Sequence, residues 1–245
     1  GIHPGWQSLT LRQLMSHTSG LRPNPSIKHL SQLRTLDPVE GRHRVLSDFW
    51  SDPPKAAPGA FEYSNLGYML IGVVLEEITG KPWETLLVED LAKPLGLSTL
   101  GFGPPPGQND PKGHRNFVVT LRPMDRNDPA SDNPPWIGPA GAVHMSLADL
   151  LKYGQAHLAA CKGDLPSFLS QESCSLMQTP VQDGYGFGWI NQNGRIWHNG
   201  SNTMWYAVLM LDPSNDNVVA VTQNAMRRPG IIDRLATSAL DQFTP

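Results

Sequence analysis

Little in these 245 residues points to metals, membranes or nucleic acid. Cysteine occurs twice, as Cys161 and Cys174, too few for a disulfide framework or a four-thiolate metal site. The two either pair across a short loop or stand as ordinary buried thiols. The eight histidines (3, 17, 29, 43, 114, 144, 157 and 198) are scattered, and neither His-x-x-x-His nor Cys-x-x-Cys occurs, so no zinc-site spacing exists. No apolar run approaches the ~18 residues of a transmembrane helix. Basic and acidic residues number 19 and 22, a net charge of −3 with no basic block, which argues against nucleic acid as a partner. Gly-x-x-x-x-Gly-Lys, Gly-x-Gly-x-x-Gly and Gly-x-Ser-x-Gly are all missing, which removes phosphate loops and the α/β-hydrolase elbow.

What is present is a loop-rich globular chain. Glycine and proline number 23 each, dispersed without period, and the length provides ample material for a core. No charged and apolar leader opens the chain. It starts at Gly1-Ile2-His3-Pro4 with a helix signal close behind, and so reads like an interior point of a longer protein.

Helix signals dominate residues 1–160. Thr10 caps a short helix over Leu11–His17, with Gly20 as its stop. Prolines interrupt residues 21–60, leaving room for one element near 39–50. Leu66, Met69, Leu70, Val73, Val74 and Ile78 recur at helical spacing, with Asn65 as the N-cap and Gly80 as the stop. A second helix is expected over Trp83–Ala92. Residues 101–140 read as a long proline-rich loop, and a loop of that length in a compact domain is usually functional. Ser146 to Asp149 reads as a capping box opening a helix to about Ala160, and a short helix is expected near 171–177.

After that helix the period becomes that of strands. Tyr185–Ile190, Arg195–His198, Met204–Leu211 and Val218–Thr222 are expected strands, joined by connections too short for crossover helices and therefore antiparallel. A helix over Ile231–Phe243 closes the chain. The fold class is α+β: a single domain over residues 1–245, with a mainly helical and loop region (1–160) beside a mainly sheet region carrying a C-terminal helix (161–245).

Chemistry has three candidate locations. Tyr63-Ser64-Asn65 puts a phenol and an amide at the start of the strongest helix. As a phenolate, Tyr63 takes a proton from a nucleophile if nearby cations lower its pKa, and the Asn65 amide holds a substrate carbonyl. The plainer reading is a helix cap with a packed tyrosine. His198-Asn199-Gly200 lies at a strand end and is followed by Ser201. There Gly200 lets a substrate lie close to the backbone, the Ser201 N–H donates to a developing oxyanion, and His198 supplies a proton or positive field. The plainer reading is a tight turn. Ser16-His17-Thr18-Ser19 pairs Ser with His along the chain, but neighbours at a helix end point apart. Helix termination with local hydroxyl–backbone bonds explains that segment better than catalysis.

Taken together, the ordered segments resemble one family. They are Leu9 to Leu21 (containing Ser16-His17-Thr18-Ser19-Gly20), Phe61-Glu62-Tyr63-Ser64-Asn65-Leu66-Gly67-Tyr68, Thr79-Gly80-Lys81-Pro82, Pro94-Leu95-Gly96-Leu97, Pro139-Ala140-Gly141, Tyr185-Gly186-Phe187-Gly188-Trp189 and His198-Asn199-Gly200. Their order and spacing over nearly the whole chain are similar to the serine β-lactamase-like superfamily of the class C type, with its D-Ala-D-Ala carboxypeptidases and β-lactamase-fold esterases. The resemblance implies an antiparallel sheet flanked by helices beside a helical region, with the site in the cleft between them. It implies acyl-enzyme hydrolysis of amide, β-lactam or ester bonds without metal or organic cofactor, on a small-molecule or peptide substrate with a carbonyl centre. Tyr63 then takes the general-base role and Asn65 orients the substrate. His198 stands where many members carry lysine, Asn199 departs from the commoner Thr or Ser, and Ser201 faces the oxyanion. Residues 101–140 help line the cleft. An extracytoplasmic setting, periplasmic or secreted, fits the β-lactam and cell-wall members, and the esterases leave the compartment open.

One departure bears on activity. The family's nucleophile lies in Ser-x-x-Lys, where residues i and i+3 share a helix face and the amine reaches the hydroxyl. No serine here has lysine three residues later. This chain is therefore expected to be inactive on its own, the alternative being a non-catalytic binding or scaffold protein. In relatives the motif precedes the Leu9–Leu21 region and comes with a central helix and leading strands. Self-association or completion by a further segment is accordingly expected.

Overall fold

The computed structural model describes residues 2–26, 33–117 and 120–243. Gly1, His29 and parts of the proline-interrupted stretches at 21–60 and 101–140 lie outside them.

The helical half is built on local capping. Thr10 accepts the Gln13 amide while Gln13 Oε1 takes the Thr10 amide at 2.9 Å, a reciprocal box that starts α1 (Leu11–Met15). Helix α2 (Pro38–Phe49) is capped by Asp37 and has proline in its first turn, where no N–H is needed. Helix α3 (Asn65–Thr79) ends on Gly80 in the left-handed region, as its spacing predicts. Its cap is Ser64, not Asn65: the Ser64 hydroxyl accepts the Gly67 amide at 3.1 Å and donates to the Arg22 carbonyl at 2.7 Å. Asn65 is instead the first helical residue. Helix α4 (Trp83–Leu86) runs on through a π-helical stretch, Leu87–Ala92, into a last turn at Lys93–Leu95.

The apolar faces of α1, α2 and α3 meet in a core of Leu14, Leu21, Val45, Phe49, Leu66, Met69, Leu70, Val73 and Trp136. Beside it, a buried guanidinium ties three helices. Arg42 of α2 donates to Glu76 of α3 and to Glu84 of α4, at 2.8 Å for its Nη1–Glu84 contact, and Glu76 also accepts the Trp83 amide at 2.9 Å. Gly20 is required by close approach: its φ is 78°, and a Cβ there would lie 2.4 Å from the Ala56 carbonyl oxygen.

The sheet half is a four-stranded antiparallel meander, β5 (Ile190–Gln192), β6 (Arg195–Ser201), β7 (Tyr206–Asp212) and β8 (Asn217–Gln223), in that spatial order. Asn193 and Gly194 turn β5 into β6, both with positive φ, as a two-residue hairpin loop demands. The strand expected over Tyr185–Ile190 is different. Residues 185–189 form a turn in which the Gly186 amide bonds the Trp189 carbonyl, with Gly184 and Gly188 at positive φ; Tyr185 makes isolated bridges to Gln182 and Ile190, and pairing with β6 begins only at Ile190.

Side-chain alternation gives the meander two apolar faces. Leu209 and Leu211 with Ile196 pack against Leu158 of α5 (Leu147–Lys162), while Val208 and Met210 pack against Ala236 and Leu240 of α7 (Pro229–Gln242). Ser146 caps α5, but the expected box is not reciprocal. The Asp149 carboxylate turns away to bond the amide and hydroxyl of Thr99 at 2.8 and 2.6 Å. Helix α6 (Gln171–Gln178) is joined to α5 by a disulfide between Cys161 and Cys174.

Residues 101–140 are more ordered than their proline content predicts. They hold β1 (Gly101–Phe102), which pairs with β4 (Val143–His144), and β2 (His114–Phe117), which pairs with β3 (Thr120–Pro123). Arg34 and Arg126 fasten this stretch through its carbonyls: Arg34 takes those of Pro129 and Asp132, and Arg126 those of Pro106 and Asp110. No helix among the described residues is long and apolar enough to cross a membrane.

Candidate functional site

The start of α3 and the middle of β6 converge, although they are more than 130 residues apart in sequence. Tyr63, next to the Ser64 cap, and His198, on β6, stand with ring centroids 6.3 Å apart. Tyr185, in the turn before β5, lies between them: its hydroxyl is 3.2 Å from His198 Nε2, and its ring meets Tyr63 edge-on at 6.1 Å. His17, just past α1, packs on Tyr63 at 4.0 Å, on Tyr185 at 4.7 Å and on Tyr68 at 5.1 Å. The Tyr68 hydroxyl is spent on the Met15 carbonyl at 2.9 Å.

The electrostatics are those of a neutral cluster. Burial lowers His17 to about 4, and the neighbouring His198 adds to the shift. Burial also lowers His198, partly offset by the Asn199 backbone. Burial raises Tyr63, and no neighbouring cation among the described residues opposes it. Near neutral pH the cluster therefore presents a protonated phenol and two uncharged imidazoles. A protonated phenol of this kind can offer a hydrogen bond but is not itself a base. To act as a base it requires a cation brought beside it.

Not all the predicted residues join this cluster. Alternation along β6 turns Asn199 to the opposite face from His198. There its amide faces Asp233 of α7 at 3.5 Å, and Asp233 also accepts the Tyr206 hydroxyl at 2.6 Å. Asn65 donates to Asn24 at 2.6 Å. The Ser201 hydroxyl closes the turn after β6, donating to the Trp205 carbonyl at 2.7 Å and accepting the Thr203 amide at 2.9 Å. Beside Gly200 there is open space, with nothing within 4 Å of where a Cβ would stand. Strand β5 pairs with β6 only as far as Trp197, so residues 198–201 form an edge on that side, where an extended substrate can add to the sheet.

Sequence reasoning set His17 aside and gave Tyr185 no role of its own. Both are placed by tertiary contacts between distant segments, a signal that spacing along the chain does not carry. The described residues contain no group of three or more His, Cys, Asp or Glu side chains that could hold a metal ion.

The family model described as Beta-lactamase matches residues 3–242. Protein flp of Staphylococcus aureus (strain MRSA252) is 23% identical over 250 residues, covering 96% of this chain and 47% of that protein. The chain spans about half the length of the curated relatives it matches. Among solved structures, the penicillin-binding protein from Bacillus halodurans superposes with a TM-score of 0.77 at 20% identity, covering 96% of this chain and 73% of that one. The D-amino acid amidase from Ochrobactrum anthropi SV3 gives 0.74 at 19% identity, covering 98% and 73%. The octameric penicillin-binding protein homologue from Pyrococcus abyssi gives 0.75 at 24%, covering 99% and 58%. The match runs through every segment that builds the Tyr63–His198 cluster, and the chain belongs to the Beta-lactamase family.

Proposed function

We propose that the Tyr63–His198 cluster is the proton-handling half of a serine acyl-transfer site acting on amide or β-lactam bonds, with esters as a less favoured substrate class. The observation that carries this reading is the convergence of the two rings, 6.3 Å apart, beside the unpaired edge of β6. Amides are favoured because the structural relatives include penicillin-binding proteins and a D-amino acid amidase.

In this reading Tyr63 takes a proton from the attacking serine and returns it to the leaving nitrogen, and the Ser201 amide and the β6 edge receive the acyl group. Tyr63, 42% exposed, is a phenol already protonated near neutral pH, and its partial burial raises its pKa further. A lysine must stand beside it to draw off that proton, as Ser-x-x-Lys provides in the family. The 245 residues hold no such motif, so on its own this chain binds but does not acylate.

A second reading, a non-catalytic binding or scaffold role, requires no Ser-x-x-Lys in these 245 residues. Self-association fits either role, one structural relative being octameric.

The test fuses this chain to a Ser-x-x-Lys segment from a relative. Benzylpenicillin, a D-amino acid amide and a p-nitrophenyl ester are then offered, and acylation is read by intact mass. The reading expects an adduct on the supplied serine whose formation slows about 100-fold or more with Tyr63→Phe. An adduct forming equally fast in the Phe variant removes Tyr63 from the mechanism. A stable adduct on any serine of the unfused chain overturns its inactivity.

A further inference from the structure

The segment Ser16-His17-Thr18-Ser19 ends α1, but ending a helix does not account for how His17 is held. It is a non-glycine residue in the left-handed region, φ 57°, a strained conformation that persists only where the surroundings enforce it. It is fully buried, and its Nδ1 accepts the Ser64 amide at 3.0 Å, which leaves the proton of the neutral ring on Nε2. That Nε2 is buried among the tyrosine rings without a hydrogen-bond partner. A leucine or phenylalanine would fill the space without burying an unpaired N–H. The imidazole is therefore present for a contact those residues cannot make.

That contact is with the chain around Tyr63. The Glu62 amide donates to the His17 carbonyl at 2.8 Å, and the Ser64 amide donates to the His17 ring. Tyr63 is thus bracketed on both sides by hydrogen bonds that end on one residue, and the face of its ring rests on the same imidazole at 4.0 Å.

We propose that His17 is a positioning residue for Tyr63: its carbonyl and Nδ1 fix the backbone on either side of the phenol, and its ring face sets the phenol's plane toward His198. Its consequence for catalysis rests on Tyr63 being the reacting phenol, as proposed above. The placement itself does not.

The experiment uses the chain alone. Nitrogen-15 shifts of wild-type His17 report its tautomer. Two variants separate the two contacts, since His17→Asn keeps an acceptor near Nδ1 but loses the ring face, and His17→Phe keeps the face but loses the acceptor. Tyr63 is followed by the pH profile of its nitration with tetranitromethane, mapped by peptide mass, and Ser64 by amide exchange. Leu158→Ala, in the core between α5 and the sheet, is the control for general destabilisation.

Wild-type His17 is expected as the Nε2–H form. His17→Asn lowers the Tyr63 midpoint by about half a pH unit or more, because water reaches the uncovered face. His17→Phe speeds Ser64 exchange about 10-fold or more, because its amide loses its partner. Leu158→Ala changes neither. An Nδ1–H tautomer in the wild type overturns the proposal, even if neither variant folds. So does a Tyr63 profile and Ser64 exchange unchanged in both variants, or moved as far by Leu158→Ala. None of these readouts needs turnover, so failure of Tyr63→Phe to slow acylation would refute the catalytic reading and leave this placement to be judged separately.

Discussion

The hydroxyl of Tyr185 meets Nε2 of His198 at 3.2 Å, which occupies the ring nitrogen that a substrate would otherwise approach. Burial keeps His198 uncharged near neutral pH, so in the proposed site it would act as an oriented hydrogen-bonding group where a lysine would supply a fixed charge. Tyr185→Phe removes the side-chain contact on that nitrogen but leaves the burial that lowers His198. The His198 midpoint is therefore expected to stay below the ordinary imidazole value. A titration of its ring-proton shifts checks this, and a midpoint at the ordinary value would show that the Tyr185 contact, not burial, holds it down.

The second prediction concerns the buried ions of the helical half. Arg42 is fully buried, and its partners Glu76 and Glu84 lie on different helices. Arg42→Met leaves two carboxylates facing each other without a counter-charge, at a cost of about 3–5 kcal/mol. Urea unfolding should show the midpoint fall with an unchanged slope. A loss below about 1 kcal/mol would mean that the cluster is hydrated and contributes little.

Acid should destabilise the fold through two buried histidines. His157 packs between Tyr153 and Trp189 at 4.8 and 4.9 Å, with Nδ1 unpartnered. Burial lowers both His157 and His17 to about 4 from an ordinary 6.5. Between those values the unfolded chain binds more protons than the folded one. Stability is therefore intact above the upper value and falls as pH drops through the window, by on the order of 3 kcal/mol per histidine. Unfolding midpoints near pH 7 and about pH 4.5 test this, and His157→Phe should remove about half of the difference. Equal midpoints at both values would contradict it.

The Cys161–Cys174 bridge closes a loop of sequence separation 13 between α5 and α6. Reducing it, or replacing both cysteines with serine, should cost about 3 kcal/mol by releasing that loop in the unfolded chain. Denaturation with and without dithiothreitol measures the difference, and matching curves would show that the link contributes nothing.

Local chemistry made much of the fold legible. Thr10, Ser146, Gly80 and Asn193-Gly194 announce caps and turns, and the apolar spacing of Leu66 to Ile78 gives α3 nearly to the residue. The errors occur where two local rules compete. The aromatic run at Tyr185–Trp189 has strand composition, but its interleaved glycines turn it into a loop. Prolines at 104–135 mask short strand pairs, whose connecting loops are fastened by carbonyl contacts from Arg34 and Arg126. Tyr63 and His198 are legible as candidates because each opens a recognisable motif. His17 is not, since its partners Ser64 and Tyr185 lie 47 and more than 160 residues away. Alternation along β6 could have told Asn199 from His198, because neighbours on a strand face opposite sides.

The central claim is that Tyr63 and His198 serve one ligand site. Its most direct test is a titration of the chain with benzylpenicillin or D-phenylalanine amide while the side-chain signals of both residues are followed by NMR. The account predicts that the two sets of signals shift along one saturation curve, weakened by Tyr63→Phe and by His198→Ala. Signals that stay still at saturating ligand, or that follow separate curves, would contradict it.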